Sequence, residues 1–139
     1  MELKMTRGQL AAFMQEHFPA MAGEFVIEAV APMHLTVRYP VDDRHIRPGN
    51  TVSGPTMFTL ADVSVYLAIL AMIGPKALAV TTSCAIDFMR KPAAGADLIA
   101  ETEILKLGRA LAVAEVRIFS EGTPAPVARA SLTYSIPPD

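Results

Sequence analysis

The sequence predicts an α+β fold in which a curved antiparallel sheet of about six strands wraps around one long central helix. Three observations lead there. The stretch 55–73 is apolar on nearly every side, and a helix of that kind is buried. Strand candidates follow it at about 79–91, 97–107, 110–121 and 126–136, separated by Pro92 to Gly95, Gly108-Arg109 and Gly122 to Pro126. Connections this short are expected to force antiparallel neighbours, and a curved sheet covers the helix. The composition also fits other α+β sandwiches.

The first element is read as a helix over about 6–18. Thr6 with Gln9 fits a capping box, and Leu10, Phe13, Met14 and His17 recur at helical spacing up to Pro19. Residues 24–40 read as two short strands parted near Pro32, with Leu35, Val37 and Tyr39 alternating in the second. The polar run 42–49 reads as a loop. Ser53-Gly54-Pro55 starts the central helix and Gly74-Pro75 stops it.

The chain has 139 residues, enough for one domain spanning 1–139 with a real core. Hydrophobic residues make up 52% and charged residues 19%, against about 45–50% and about 25% in ordinary soluble domains. The apolar excess predicts additional buried surface, most simply at subunit contacts. Net charge is −2, tryptophan is absent and no lysine–arginine stretch is present, which argues against nucleic-acid binding. Cys84 is the only cysteine, so an intrachain disulfide is excluded; no Cys/His cluster has metal spacing. The start Met1-Glu2-Leu3-Lys4 predicts no secretory signal, and the apolar run Val63 to Ile73 is short for a bilayer span. These readings predict a cytoplasmic protein with no membrane partner.

Asp62 is the most informative residue, a carboxylate flanked by Leu60, Ala61 and Val63. An unpaired charge there is costly, so it has a partner or a chemical task. It serves either as a catalytic carboxylate or as a structural one at a subunit contact or helix terminus. Ser53-Gly54 opens the same helix, where backbone N–H groups lack intrahelical acceptors and can cap the helix or bind an anion. Strict alternation from Val80 places Thr82, Cys84, Ile86 and Phe88 on the core face and Thr81 on the other, so Thr82 is expected near Asp62. Arg90, Lys91, Lys106 and Arg109 stand at strand ends, as surface charges or as phosphate ligands. His17, His34 and His45 are scattered and give no Ser-His-Asp triad.

The segments 49–55 and 59–62, with Ala79-Val80-Thr81-Thr82, Phe88-Met89-Arg90-Lys91-Pro92 and the closing 128–134, resemble the hotdog-fold thioesterases of the phenylacetate (PaaI-like) type. The resemblance covers roughly 24–136. It implies that Gly54, at the first motif glycine, polarises a thioester carbonyl through its N–H. Asp62, at the acidic position, would activate water or attack directly, and Thr82 would help hold the water. Asn50, Ser53 and Tyr66 would contact substrate, while Arg90, Lys91 and Arg109 would hold coenzyme A phosphates. The resemblance also implies an acyl-CoA substrate, no metal and no cofactor, and a homodimer or homotetramer with the site shared across two subunits. The chain departs from the motif: Ser53 replaces the usual histidine and Pro55 the second glycine, removing one N–H. Arg47 falls where an asparagine often stands. These departures keep a second reading open, an acyl-CoA binding protein without turnover.

Overall fold

The computed structural model describes residues 2–138; Met1 and Asp139, the ends of the span read as one domain, lie outside the described residues. Helix α1 (Arg7–His17) begins at the expected capping box: Gln9 N–H donates to Thr6 Oγ1 at 3.2 Å and Thr6 N–H to Gln9 Oε1 at 2.9 Å. Pro19 does not end the helical path. It opens a single further turn, α2 (Pro19–Ala22), because proline is tolerated at a first helical position.

Strands β1 (Val26–Ala31) and β2 (His34–Tyr39) form a hairpin whose turn uses Met33 at φ 66°. The predicted loop after them contains a 3₁₀ turn and a small hairpin, β3 (Ile46–Arg47) with β4 (Thr51–Val52). Strands of two residues are too short to show alternation. Helix α3 (Gly54–Ile73) follows directly and stops at Gly74, whose φ of 94° favours glycine. Then come β5 (Val80–Phe88), β6 (Leu98–Leu107), β7 (Leu111–Ser120) and β8 (Ala128–Ser135).

The six long strands form one antiparallel sheet in the order β1-β2-β6-β7-β8-β5, with α3 packed on its inner face. One expectation is corrected here: β5 and β6 are not neighbours despite the proline–glycine link between them. β5 pairs with β8 and forms the sheet's edge, so the link crosses from one end of the sheet to the other. Leu60, Leu67, Ile69 and Leu70 of α3 are fully buried. By length and composition α3 is able to cross a bilayer, but 72% of its apolar window is buried within the fold, as for a core helix. Leu70→Ala is expected to cost about 2–5 kcal/mol, seen as a lower urea midpoint with an unchanged slope.

The β5–β8 register shifts between Thr81 and Ser83. Thr81 pairs with Tyr134 and Ser83 with Thr133, so Thr82 is the extra residue of a bulge. Strand parity therefore changes in the middle of a run of three hydroxyl residues.

Candidate active site

The bulge decides which hydroxyl meets Asp62. Thr81 Oγ1 donates to Asp62 Oδ1 at 2.5 Å, and Tyr134 Oη donates to the same oxygen at 2.8 Å. Tyr134 Oη also lies 2.9 Å from the Asp62 main-chain oxygen. The placement expected for Thr82 is thus corrected: its exposed side chain donates to Thr133 O at 3.2 Å, away from the carboxylate. Unbroken alternation picks Thr82, whereas the bulge substitutes Thr81, with Cys84 and Ile86 still inward.

Asp62 is half-buried, and all its side-chain hydrogen bonds from described residues fall on Oδ1. The carboxylate lines a cavity of 380 Å³ with His17, Phe18, Val63, Tyr66, Val80, Thr81 and Tyr134. Oδ1 is held by two hydroxyls, and Oδ2 accepts no hydrogen bond from a described side chain. Tyr66 adds an aromatic wall, its hydroxyl donating to Ala77 O at 2.9 Å. Neither Tyr134 nor His17 was singled out for this site by spacing, since both reach it only through tertiary packing. The Tyr134–Thr81 pairing depends on a register that a lone strand does not reveal.

Burial pushes the Tyr134 phenol well above its ordinary range, and the nearby Asp62 charge adds to the effect. Burial also raises the Tyr39 and Tyr66 phenols. Each folded-state phenol holds its proton more tightly than its unfolded counterpart. The associated stability is fully present below about pH 10 and is lost as pH rises through the folded values. Chemical-denaturation midpoints should fall above that pH, and Tyr134→Phe should flatten the fall. Burial, with the Asp62 charge second, likewise raises the Cys84 thiol, which opposes a role as nucleophile.

A second cavity, of 340 Å³, lies at the start of α3, lined by Arg47, Thr51, Gly54, Met57, Phe88 and the segment Met89 to Pro92. Ser53 is spent on capping: its Oγ accepts from Thr56 N–H at 3.3 Å and lies 2.7 Å from Thr56 Oγ1. Asn50 is exposed at φ 57° and donates its N–H to Arg47 O at 3.2 Å, closing a turn rather than lining the cavity. Arg90 and Lys91 do line it, with Arg90 Nη1 donating to Pro126 O at 2.7 Å. Arg109 does not join them. It lines a separate cavity with Lys76 and Ile136, because the register Leu111↔Ser135↔Val80 sets it at the opposite end of the sheet from Phe88.

The predicted catalytic pair is therefore split within one chain. Gly54 and Asp62 are eight residues apart on α3, about 12 Å at 1.5 Å per residue. The cavities they line share no residue. Strand β5 connects the two, with Val80 and Thr81 at the Asp62 cavity and Phe88 at the Gly54 cavity. Among the described residues no group of three or more His, Cys, Asp or Glu side chains is arranged to hold a metal ion.

Comparison with known proteins fits this architecture. The family model described as the thioesterase superfamily matches residues 49–127, which include both Gly54 and Asp62. A thioesterase-named structure from Silicibacter sp. TM1040 is 56% identical with a TM-score of 0.93, covering 99% of this chain and 96% of that one. A mutant form of the phenylacetic acid degradation protein PaaI of Thermus thermophilus is 30% identical with a TM-score of 0.74, over 86% of this chain and 99% of that one. A Streptococcus mutans UA159 protein bound to acetyl-CoA shares the fold at 22% identity and a TM-score of 0.74, over 83% and 90%. A Pseudomonas aeruginosa protein bearing an esterase name is 31% identical over 72% of this chain and 75% of its own length. The hotdog arrangement expected from the sequence is the one observed.

Proposed function

Since the chain belongs to the thioesterase superfamily, with PaaI among its structural relatives, we propose that it hydrolyses an acyl-CoA thioester to a carboxylic acid and free coenzyme A. The observation that carries this reading is the Asp62 carboxylate, pinned through Oδ1 by Thr81 and Tyr134 in an otherwise largely apolar cavity. Oδ2 takes a proton from water as the water oxygen bonds to the thioester carbonyl carbon. The carbonyl electron pair moves onto oxygen, which accepts the Gly54 N–H. As the C=O bond re-forms, the C–S bond breaks and the thiolate leaves, to be protonated. Direct attack by Asp62 would use the same groups.

Arg90 and Lys91 beside Gly54 support a ligand with phosphates, as does the acetyl-CoA bound by the Streptococcus relative. Two copies of the chain complete the site in this reading. β5 is an edge strand of nine residues, with Val80 54% and Phe88 52% exposed. Antiparallel pairing of β5 with its copy about a two-fold axis sets the Val80 end of one protomer beside the Phe88 end of the other. The Asp62 cavity of one then faces the Gly54 cavity of its partner.

The test is free-thiol release from a panel of acyl-CoA esters. Turnover of at least one ester is expected; none across the panel would remove the reading. A second reading, acyl-CoA binding without turnover, draws on Pro55, which takes an N–H from the helix start. Saturable binding of the same esters with no thiol release would select it.

A further inference from the structure

We propose that Tyr134 is a positioning residue: its hydroxyl bridges a side-chain and a main-chain oxygen of Asp62, and so selects the carboxylate rotamer that leaves Oδ2 for the attacking water. This rests on the thioesterase reading above, in which Oδ2 is the base.

The bridge is made by one atom. Tyr134 Oη lies 2.8 Å from Asp62 Oδ1 and 2.9 Å from the Asp62 main-chain oxygen. Both oxygens belong to one residue, and the second is fixed in the backbone of α3. A side chain that must meet a donor already bonded to its own backbone has few rotamers left. Thr81 does not impose this condition. It donates to Oδ1 from the edge strand β5, beside the bulge, and is half-buried. Tyr134 is 3% exposed on β8, a strand paired on both sides, with β7 and β5. Its ring packs near that of Tyr66, with centroids 6.3 Å apart. The donor is therefore in place before any substrate arrives, as orientation effects in catalysis require.

The hydroxyl has one proton to share between the two oxygens. While Asp62 is ionised, the carboxylate oxygen is the stronger acceptor. As the attacking water gives its proton to Oδ2, the charge on Oδ1 falls and the main-chain oxygen takes over the bond. Tyr134 keeps its own proton throughout, because burial makes the phenol hard to ionise. No bond to its oxygen breaks; only the direction of the donor changes. The carboxylate is thus anchored in both of its protonation states.

This anchor is separate from the one on β5. Asp62 and Thr81 lie within residues 49–127, the segment matched by the thioesterase-superfamily model, and Tyr134 lies beyond it. It comes from the last strand, 72 residues from the carboxylate it positions.

Tyr134→Phe keeps the ring and loses the hydroxyl. On the acyl-CoA ester that wild type hydrolyses fastest, the variant should lower kcat about 10–100-fold with KM within about twofold of wild type. Because the hydroxyl acts through the carboxylate, Tyr134→Phe should cost nothing further in an Asp62→Asn background, read by single turnover with enzyme in excess. Equal fold-losses in the two backgrounds would make Tyr134 a structural residue and overturn the inference. A raised KM with unchanged kcat would make it a substrate contact and overturn it too, as would a wild-type rate. Asp62→Glu tests the same bridge from the acceptor side if the phenylalanine variant folds poorly. It keeps a carboxylate but moves it one methylene from the bridge, so kcat should fall by a similar factor; a wild-type rate there would also overturn the inference. Wild type inactive on all thioesters would instead remove the thioesterase reading beneath it, a result visible before any variant is made.

Discussion

Asp62→Ala and Asp62→Asn are expected to abolish thioester hydrolysis, lowering kcat by about 10²–10⁴-fold, the range for losing a positioned general base. The asparagine variant isolates the cause. Its amide oxygen still accepts from Thr81 and Tyr134, and only the capacity to take a proton is lost. Both variants should keep their fold. Tyr134 also bonds to the main-chain oxygen of residue 62, a contact that side-chain replacement leaves in place. Thr81 is only half-buried and can turn to solvent. The stability change should be about 1 kcal/mol, with the size-exclusion elution volume unchanged from wild type. Full turnover in either variant would exclude Asp62 from the chemistry.

Two inactive proteins should make one active mixture. A Cβ at Gly54 would make an ordinary 3.4 Å contact with Phe88 Cζ, and valine adds two further methyl groups beyond it. Gly54→Val therefore crowds the cavity at the helix start, and its homo-oligomer should be inactive. A heterodimer of this variant with Asp62→Ala holds one site with both lesions and one with neither. Under the two-chain site proposed above, in which each site takes one contribution from each chain, it should recover about half the wild-type rate per dimer when co-expressed and purified through different tags. Homo-oligomers of either variant carry a lesion in every site. No recovery in verified heterodimers would place the whole site within a single chain.

Much of the fold was legible because its signals are long. The apolar surround of α3 and the alternation in β6, β7 and β8 extend over many residues, and a capping box or a Gly-Pro pair marks the ends of the helices. The position of β5 was not legible. Short links suggest neighbouring strands, but the order is settled by which edges and faces pack, and β5 pairs with the last strand rather than the next. The short β3–β4 hairpin was missed for want of length. Asp62 and Gly54 were singled out from residue type and position, but not that they line two separate cavities. Thr81 was displaced to Thr82 by one bulged residue, and Tyr134, 72 residues from Asp62, had no local signal at all. Arg109 was grouped with Arg90 and Lys91 as a strand-end cation, but strand ends point two ways and it stands at the other one.

The run Thr81-Thr82-Ser83 gives the bulge a wider meaning. Because side chains alternate, gaining or losing one residue in a strand normally swaps every group it presents to the interior. Here a hydroxyl occupies each of three consecutive positions. Deleting any one of the three removes the bulge and leaves a threonine opposite Tyr134, Thr82 if Thr81 is lost and Thr81 otherwise, while the pairing from Cys84 to Phe88 stays as it is. Thr82 is thus a spare for Thr81. Loss of one residue at this point, which in most strands turns a site's groups outward, should leave a hydroxyl on the Asp62 carboxylate here.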